Sequence, residues 1–107
     1  MAHIVVGSVT DFPDGRGVAV AVDGRRLAVF RLGDRVFAVD DRCSHRGFPL
    51  HDGTAEWTSV RCRTHGACFD LASGHVVRGP ARRAVRAYRA EILDGQVVID
   101  IDPIPSP

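Results

Sequence analysis

The chain has 107 residues, 45% of them apolar and 25% charged, with three cysteines and a formal net charge of +1. This describes one globular domain able to bury its own core, neither disordered nor basic enough to argue for nucleic acid or a membrane surface. No apolar run approaches the roughly 20 residues of a membrane span, and Met1-Ala2-His3-Ile4 opens without a basic leader, so a soluble, cytoplasmic protein is expected.

In chain order, His3 to Val9 and Gly17 to Val22 read as strands, and Asp23-Gly24 marks a hairpin into Arg26 to Leu32. Gly33-Asp34 is a second turn, leading into Val36-Phe37-Ala38-Val39. These β-branched and aromatic runs suit strands, and helical periodicity is absent. Near the other end, Val85 to Leu93, Asp94-Gly95 and Gln96 to Ile101 form a further hairpin. Between the hairpins, Asp40 to about Ala84 is rich in Cys, His, Gly and Arg, with short strands expected at Ser59 to Arg61, Cys68 to Leu71 and His75 to Val77. The expectation is an all-β frame over residues 1–102 carrying a loop-rich insert at about 41–84. The proline-bearing residues 103–107 should form a flexible tail outside the sheet.

Two fragments carry the chemistry: Cys43-Ser44-His45-Arg46-Gly47 and Cys62-Arg63-Thr64-His65-Gly66. Thiolate and imidazole suit iron or zinc, and one turn can present both side chains of each pair. The glycines let the backbone bend beside a bulky inorganic group. Zinc fingers keep their cysteines together and then their histidines, with a helix carrying the latter. Here each half supplies one of each, and no helix is expected near His65. Mixed halves suit a dinuclear centre approached by two loops, with the thiolates on one iron and the imidazoles on the other. A structural zinc module used for protein binding is the alternative from another class.

The chain resembles the Rieske-type ferredoxins, and the resemblance extends past the ligands. Residues 43–50 followed by Gly53 are similar to the family's first cluster loop, and residues 62–70 followed by Gly74 to its second. Arg78-Gly79-Pro80-Ala81 is similar to its proline-bearing loop over the cluster. The resemblance implies stacked antiparallel sheets with a small cluster-binding subdomain of two ligand loops. It implies one [2Fe–2S] cluster held by Cys43, His45, Cys62 and His65, the imidazoles binding through Nδ1. It further implies no turnover of the chain's own, but one-electron transfer from a flavin-dependent reductase to a terminal oxygenase or similar acceptor. The small Rieske-like subunit of a nitrite reductase is a rival, although that family often lacks the ligands present here.

The Rieske proteins of cytochrome bc complexes add a cysteine to each loop and place Ser and Tyr hydroxyls near the cluster. This chain has Phe48 and Thr64 in the first pair of places and Ala67 and Phe69 in the second. Hydrogen bonds to the cluster sulfurs raise the potential, so a low-potential ferredoxin is expected.

The remaining candidates have blander readings. Cys68 reads as a packed thiol. His3, His51 and His75 read as surface or loop residues, with His51 nearest the first cluster loop. Trp57 and Tyr88 read as core or sheet-face residues, and Phe48 and Phe69 as groups that keep water from the cluster. All basic residues are Arg, and from Arg61 to Arg89 seven of them face one acid, Asp70. This excess is either a solvated face or a docking surface for an acidic partner.

Overall fold

The computed structural model describes residues 3–44, 47–63 and 66–105. Among the described residues there are ten strands: β1 His3–Ser8, β2 Gly17–Val22, β3 Arg25–Leu32, β4 Arg35–Asp40, β5 Thr54–Glu56, β6 Ser59–Arg61, β7 Cys68–Asp70, β8 Val76–Arg78, β9 Ala87–Leu93 and β10 Gln96–Pro103. They form a six-stranded sheet in the order β1-β10-β9-β4-β3-β2 and a four-stranded sheet in the order β5-β6-β7-β8, with every strand pair antiparallel. Among the described residues no helix is long and apolar enough to cross a membrane.

The hairpin signals act where the sequence places them. Asp23 and Gly24 both take positive φ (52° and 78°), as do Asp94 and Gly95 (50° and 76°). This is the backbone twist that two-residue hairpins favour. The strands at β3 and β4 are apolar without alternation because both of their faces are covered. Leu27, Val29, Val36 and Ala38 point into one core with Phe12, Val97 and Ile99. Ala28, Phe30, Phe37 and Val39 point into a second core with Val60, Phe69 and Leu71 of the small sheet's region. Both Cys43 and Cys62 belong to this second core.

The path of the chain brings the segments that carry the two buried cysteines to one end of the small sheet. It leaves the large sheet at Asp40 and re-enters it at Ala87, the two departures joined by the Asp40 N–H donating to the Arg86 carbonyl at 2.9 Å. The registers Thr54↔Arg61, Arg61↔Cys68 and Cys68↔Arg78 then set Gly53, Cys62, Ala67 and Gly79 side by side just beyond the strand ends.

Several expectations need correction at the edges. Strand β5 was not anticipated, since Thr-Ala-Glu is too short and too polar to signal itself. Val9 leaves β1 to begin a short 3₁₀ turn, Val9–Asp11, capped by Ser8 and Asp11 in a reciprocal box. The C-terminal strand runs on to Pro103, which sits opposite Tyr88, and the Ile104 N–H donates to the Ala87 carbonyl at 2.8 Å. The expected tail is therefore tied to the sheet at its first two residues: Pro103 needs no N–H there, and Ile104 supplies the donor.

Candidate metal centre

Cys43 follows β4 and Cys62 follows β6, and each is 1% exposed. The two loops close with one hydrogen-bond scheme. The Cys43 N–H donates to the Phe48 carbonyl at 2.7 Å, and the Gly47 N–H returns to the Cys43 carbonyl at 2.7 Å. In the second loop the Cys62 N–H donates to the Ala67 carbonyl at 2.7 Å, and the Gly66 N–H to the Cys62 carbonyl at 3.1 Å. Gly47 and Gly66 have φ of 75° and 76°, a left-handed conformation that closes each loop and that side chains disfavour. Each loop thus begins on a buried cysteine, ends on a glycine, and has one histidine in between. His45 and His65, the other two expected ligands, lie outside the described residues.

The surroundings of the cysteines are apolar. Leu50, Ala67 and Phe69 are fully buried in the same core, and Ala81, next to Pro80, joins them. A thiolate there would be penalised unless a cation neutralised it, so a metal centre suits both the donors and their environment. Phe48, expected to shield the site, is 40% exposed, whereas Phe69 is fully enclosed.

Asp41, Ser44 and Arg63 link the loops to their surroundings, with unequal weight. The Asp41 carboxylate, its side chain wholly enclosed, accepts the N–H groups of Leu50 and His51 through Oδ1, both at 2.8 Å. Its Oδ2 accepts His51 Nδ1–H at 2.8 Å, with the Arg26 guanidinium 3.6 Å away. One carboxylate therefore clasps the exit of the first loop from the loop's entrance. Ser44 Oγ donates to the Arg83 carbonyl, fastening this loop to the segment that contains Pro80. Arg63, in the second loop, reaches Asp52, just past the first, at 3.5 Å; with both groups exposed, this pair contributes little.

Cys68 stands apart from the two buried cysteines in its setting. It is partly exposed, and its Sγ lies 3.5 Å from the Gly66 carbonyl. His3 and His75 are on the surface, and His51 spends its ring on Asp41. Trp57 corrects the sequence reading. It is 94% exposed, because it occupies the tight β5–β6 turn at φ 55°, where its side chain points away from both cores. Tyr88 is buried as expected, and its hydroxyl donates to Asp40 Oδ1 at 2.7 Å. Burial, the hydrogen bond and the charge of Asp40 together push its phenol up to about 12. Asp41 was missed altogether, since an acid two positions before a cysteine gives no sequence signal.

Residues 2–89 match the model of the Rieske [2Fe-2S] domain. The chain belongs to this family. Rieske domains carry a [2Fe–2S] cluster, and this is the cofactor to which the paired loops correspond. This Rieske chain is 33% identical to the anthranilate 1,2-dioxygenase ferredoxin subunit of Burkholderia cepacia, over 90% of the chain and 89% of that relative. Among solved structures it is similar to a chain in the complex of reduced oxygenase and oxidized ferredoxin in carbazole 1,9a-dioxygenase. The identity there is 26% and the TM-score 0.88, covering 97% of both chains. A Mycobacterium tuberculosis chain described as the small subunit of an NADH-dependent nitrite reductase shares the fold, with 25% identity, a TM-score of 0.82, and coverage of 92% of this chain and 93% of that one.

Proposed function

We propose that this Rieske protein is a low-potential ferredoxin, shuttling single electrons from a flavin-dependent reductase to a terminal oxygenase. The observation that carries this reading is the pair of loops with matching hydrogen bonds, each starting on a buried cysteine within one core. Cys43 and Cys62 would hold one iron of the cluster and His45 and His65 the other, with residues 41–84 as the cluster-binding subdomain. The bound cluster supplies a one-electron couple. The chain's own residues do the rest. Leu50, Ala67 and Phe69 exclude water, while Asp41 and Ser44 keep the first loop seated.

The low potential is argued from Ala67 and Phe69. Both are fully buried beside the cysteines and neither carries a hydroxyl. Donors that would stabilise the reduced, more negative cluster are absent at these two positions, which favours the lower part of a Rieske range of roughly −150 to +300 mV. Oxygenase partnership is supported by the kinship with a dioxygenase ferredoxin subunit and by the likeness to a chain of an oxygenase–ferredoxin complex. The nitrite reductase likeness shares the fold, but the retained C-x-H and C-x-x-H pairs favour a working electron carrier.

The test is direct. Protein purified after growth with iron should contain about two irons and two inorganic sulfides per chain, show broad visible bands that bleach on reduction, and accept electrons from a flavoprotein reductase. A colourless protein holding one zinc would overturn the reading.

A further inference from the structure

The seven arginines between Arg61 and Arg89 are not equivalent in the folded chain. Arg61 is paired with Glu56, Arg63 with Asp52 and Arg86 with Asp40. Arg82 and Arg83, on the segment tied to the first ligand loop by Ser44, are exposed and form no ion pair among the described residues. The structure also recruits arginines from elsewhere in the sequence. A cleft of about 440 Å³ beside the first ligand loop is lined by Arg25, Arg26, Arg42 and Arg86, with Asp40 and Asp41.

The two carboxylates of this cleft are already spent. Asp40 receives the Tyr88 hydroxyl at 2.7 Å and Arg86 at 3.2 Å, and Asp41 serves the loop amides, His51 and, at 3.6 Å, Arg26, so that Arg25 and Arg42 are the lining arginines without an ion pair among the described residues. Arg42, immediately before Cys43, lies over Gly47 and forms no ion pair among the described residues. At the cleft's edge Pro49 is exposed, an apolar element next to a cationic floor. With a net charge of only +1 over the whole chain, this concentration is local rather than general.

We propose that this arginine-lined cleft receives an acidic surface of a protein redox partner, so that the partner docks against the flank of the first ligand loop. The proposal rests on the electron-carrier reading above. Carboxylates match the fork of a guanidinium in pairs of hydrogen bonds. Electron-transfer encounters are small and brief, and complementary charge mainly accelerates them.

The holo-protein tests this by stopped-flow oxidation of its reduced cluster with two small probes, ferricyanide as an anion and tris(phenanthroline)cobalt(III) as a cation. Between about 0.01 M and about 1 M salt the Debye length falls from about 30 Å to about 3 Å, which switches the local field off. The ferricyanide rate should fall with salt and the cobalt rate should rise. Arg42→Glu with Arg25→Glu, the two lining arginines without an ion pair among the described residues, should slow ferricyanide roughly tenfold at low salt and leave it unchanged at high salt, the scale expected of charge steering. Arg25→Glu alone, in strand β3 and outside the ligand loops, provides the same sign of change should Arg42→Glu disturb the loop. A hexaglutamate peptide should slow ferricyanide at low salt in the parent and not in the double variant. The proposal is overturned if both probes respond alike, or if an oligothymidylate of the same length blocks the reaction and hexaglutamate does not. A preparation without visible cluster bands removes the electron-carrier reading itself, a result that cannot be confused with a charge-insensitive rate.

Discussion

Asp41 and His51 meet at 2.8 Å across the base of the first ligand loop, while the same carboxylate accepts the backbone N–H groups of Leu50 and His51. The loop's beginning thereby grips its end, and Cys43 lies two residues from the grip. Rigidity at a ligand site comes from such supporting contacts.

Asp41→Ala should therefore weaken the centre more than its distance from the iron ligands suggests. The buried Leu50 amide and the part-buried His51 amide lose their acceptor, at a cost of about 1–3 kcal/mol for each where water cannot replace it. Cluster loss, followed as bleaching of the visible bands in the presence of a chelator, should be at least several-fold faster than in the parent. His51→Ala, which leaves both amides bonded, should have the smaller effect. Equal rates for parent and Asp41→Ala would refute the clasp.

At the second loop, Gly66 has φ 76° with open space where a side chain would stand. Gly66→Ala should cost about 1–2 kcal/mol through backbone conformation alone. Gly66→Asn should recover part of this, because Asn tolerates the left-handed region. Denaturant unfolding of the holo-protein supplies the comparison, and an Ala variant as stable as the parent contradicts it.

The single tyrosine gives a clean titration. With its phenol raised from 10.0 to about 12, Tyr88 should remain un-ionised well above the pH at which a free phenol ionises, as read by ultraviolet difference absorption. A group whose folded pKa lies above its unfolded one contributes stability in full below the unfolded value and loses it as pH climbs through the folded one. The contribution should thus vanish between about pH 10 and about pH 12. Asp40→Asn, which removes the neighbouring negative charge, should move the ionisation back toward the ordinary phenol.

Substitutions around the cysteines separate ligands from bystanders. Cys43→Ser and Cys62→Ser should abolish or alter the visible spectrum, whereas Cys68→Ser should leave it nearly unchanged. Ala67→Ser and Phe69→Tyr, by supplying hydroxyls, should raise the reduction potential measured by spectroelectrochemistry. An unmoved potential in both would remove the argument for a low-potential carrier.

Much of this molecule was legible in its sequence, and the exceptions share a cause. The Asp-Gly hairpins and the apolar runs at Leu27 to Phe30 and Val36 to Val39 announce themselves because local backbone chemistry and two-sided burial leave a direct trace. The cysteine and glycine positions of both loops did so too, since few other arrangements need that spacing. Trp57, Asp41 and Pro103 did not, because each is placed by what lies across from it. A tryptophan looks like core until a three-residue strand on either side turns it outward. An aspartate looks like surface until Leu50 and His51 fold back onto it, and a proline looks like a strand breaker until its missing N–H proves unneeded.

The division of the interior has a consequence for biogenesis. One core contains Cys43 and Cys62, while the other is built from Phe12, Leu27, Val29, Val97 and Ile99 and contains neither. The large sheet can therefore consolidate around this other interior without iron, since none of the residues that form it is an expected ligand. Stripping the iron should leave that half standing.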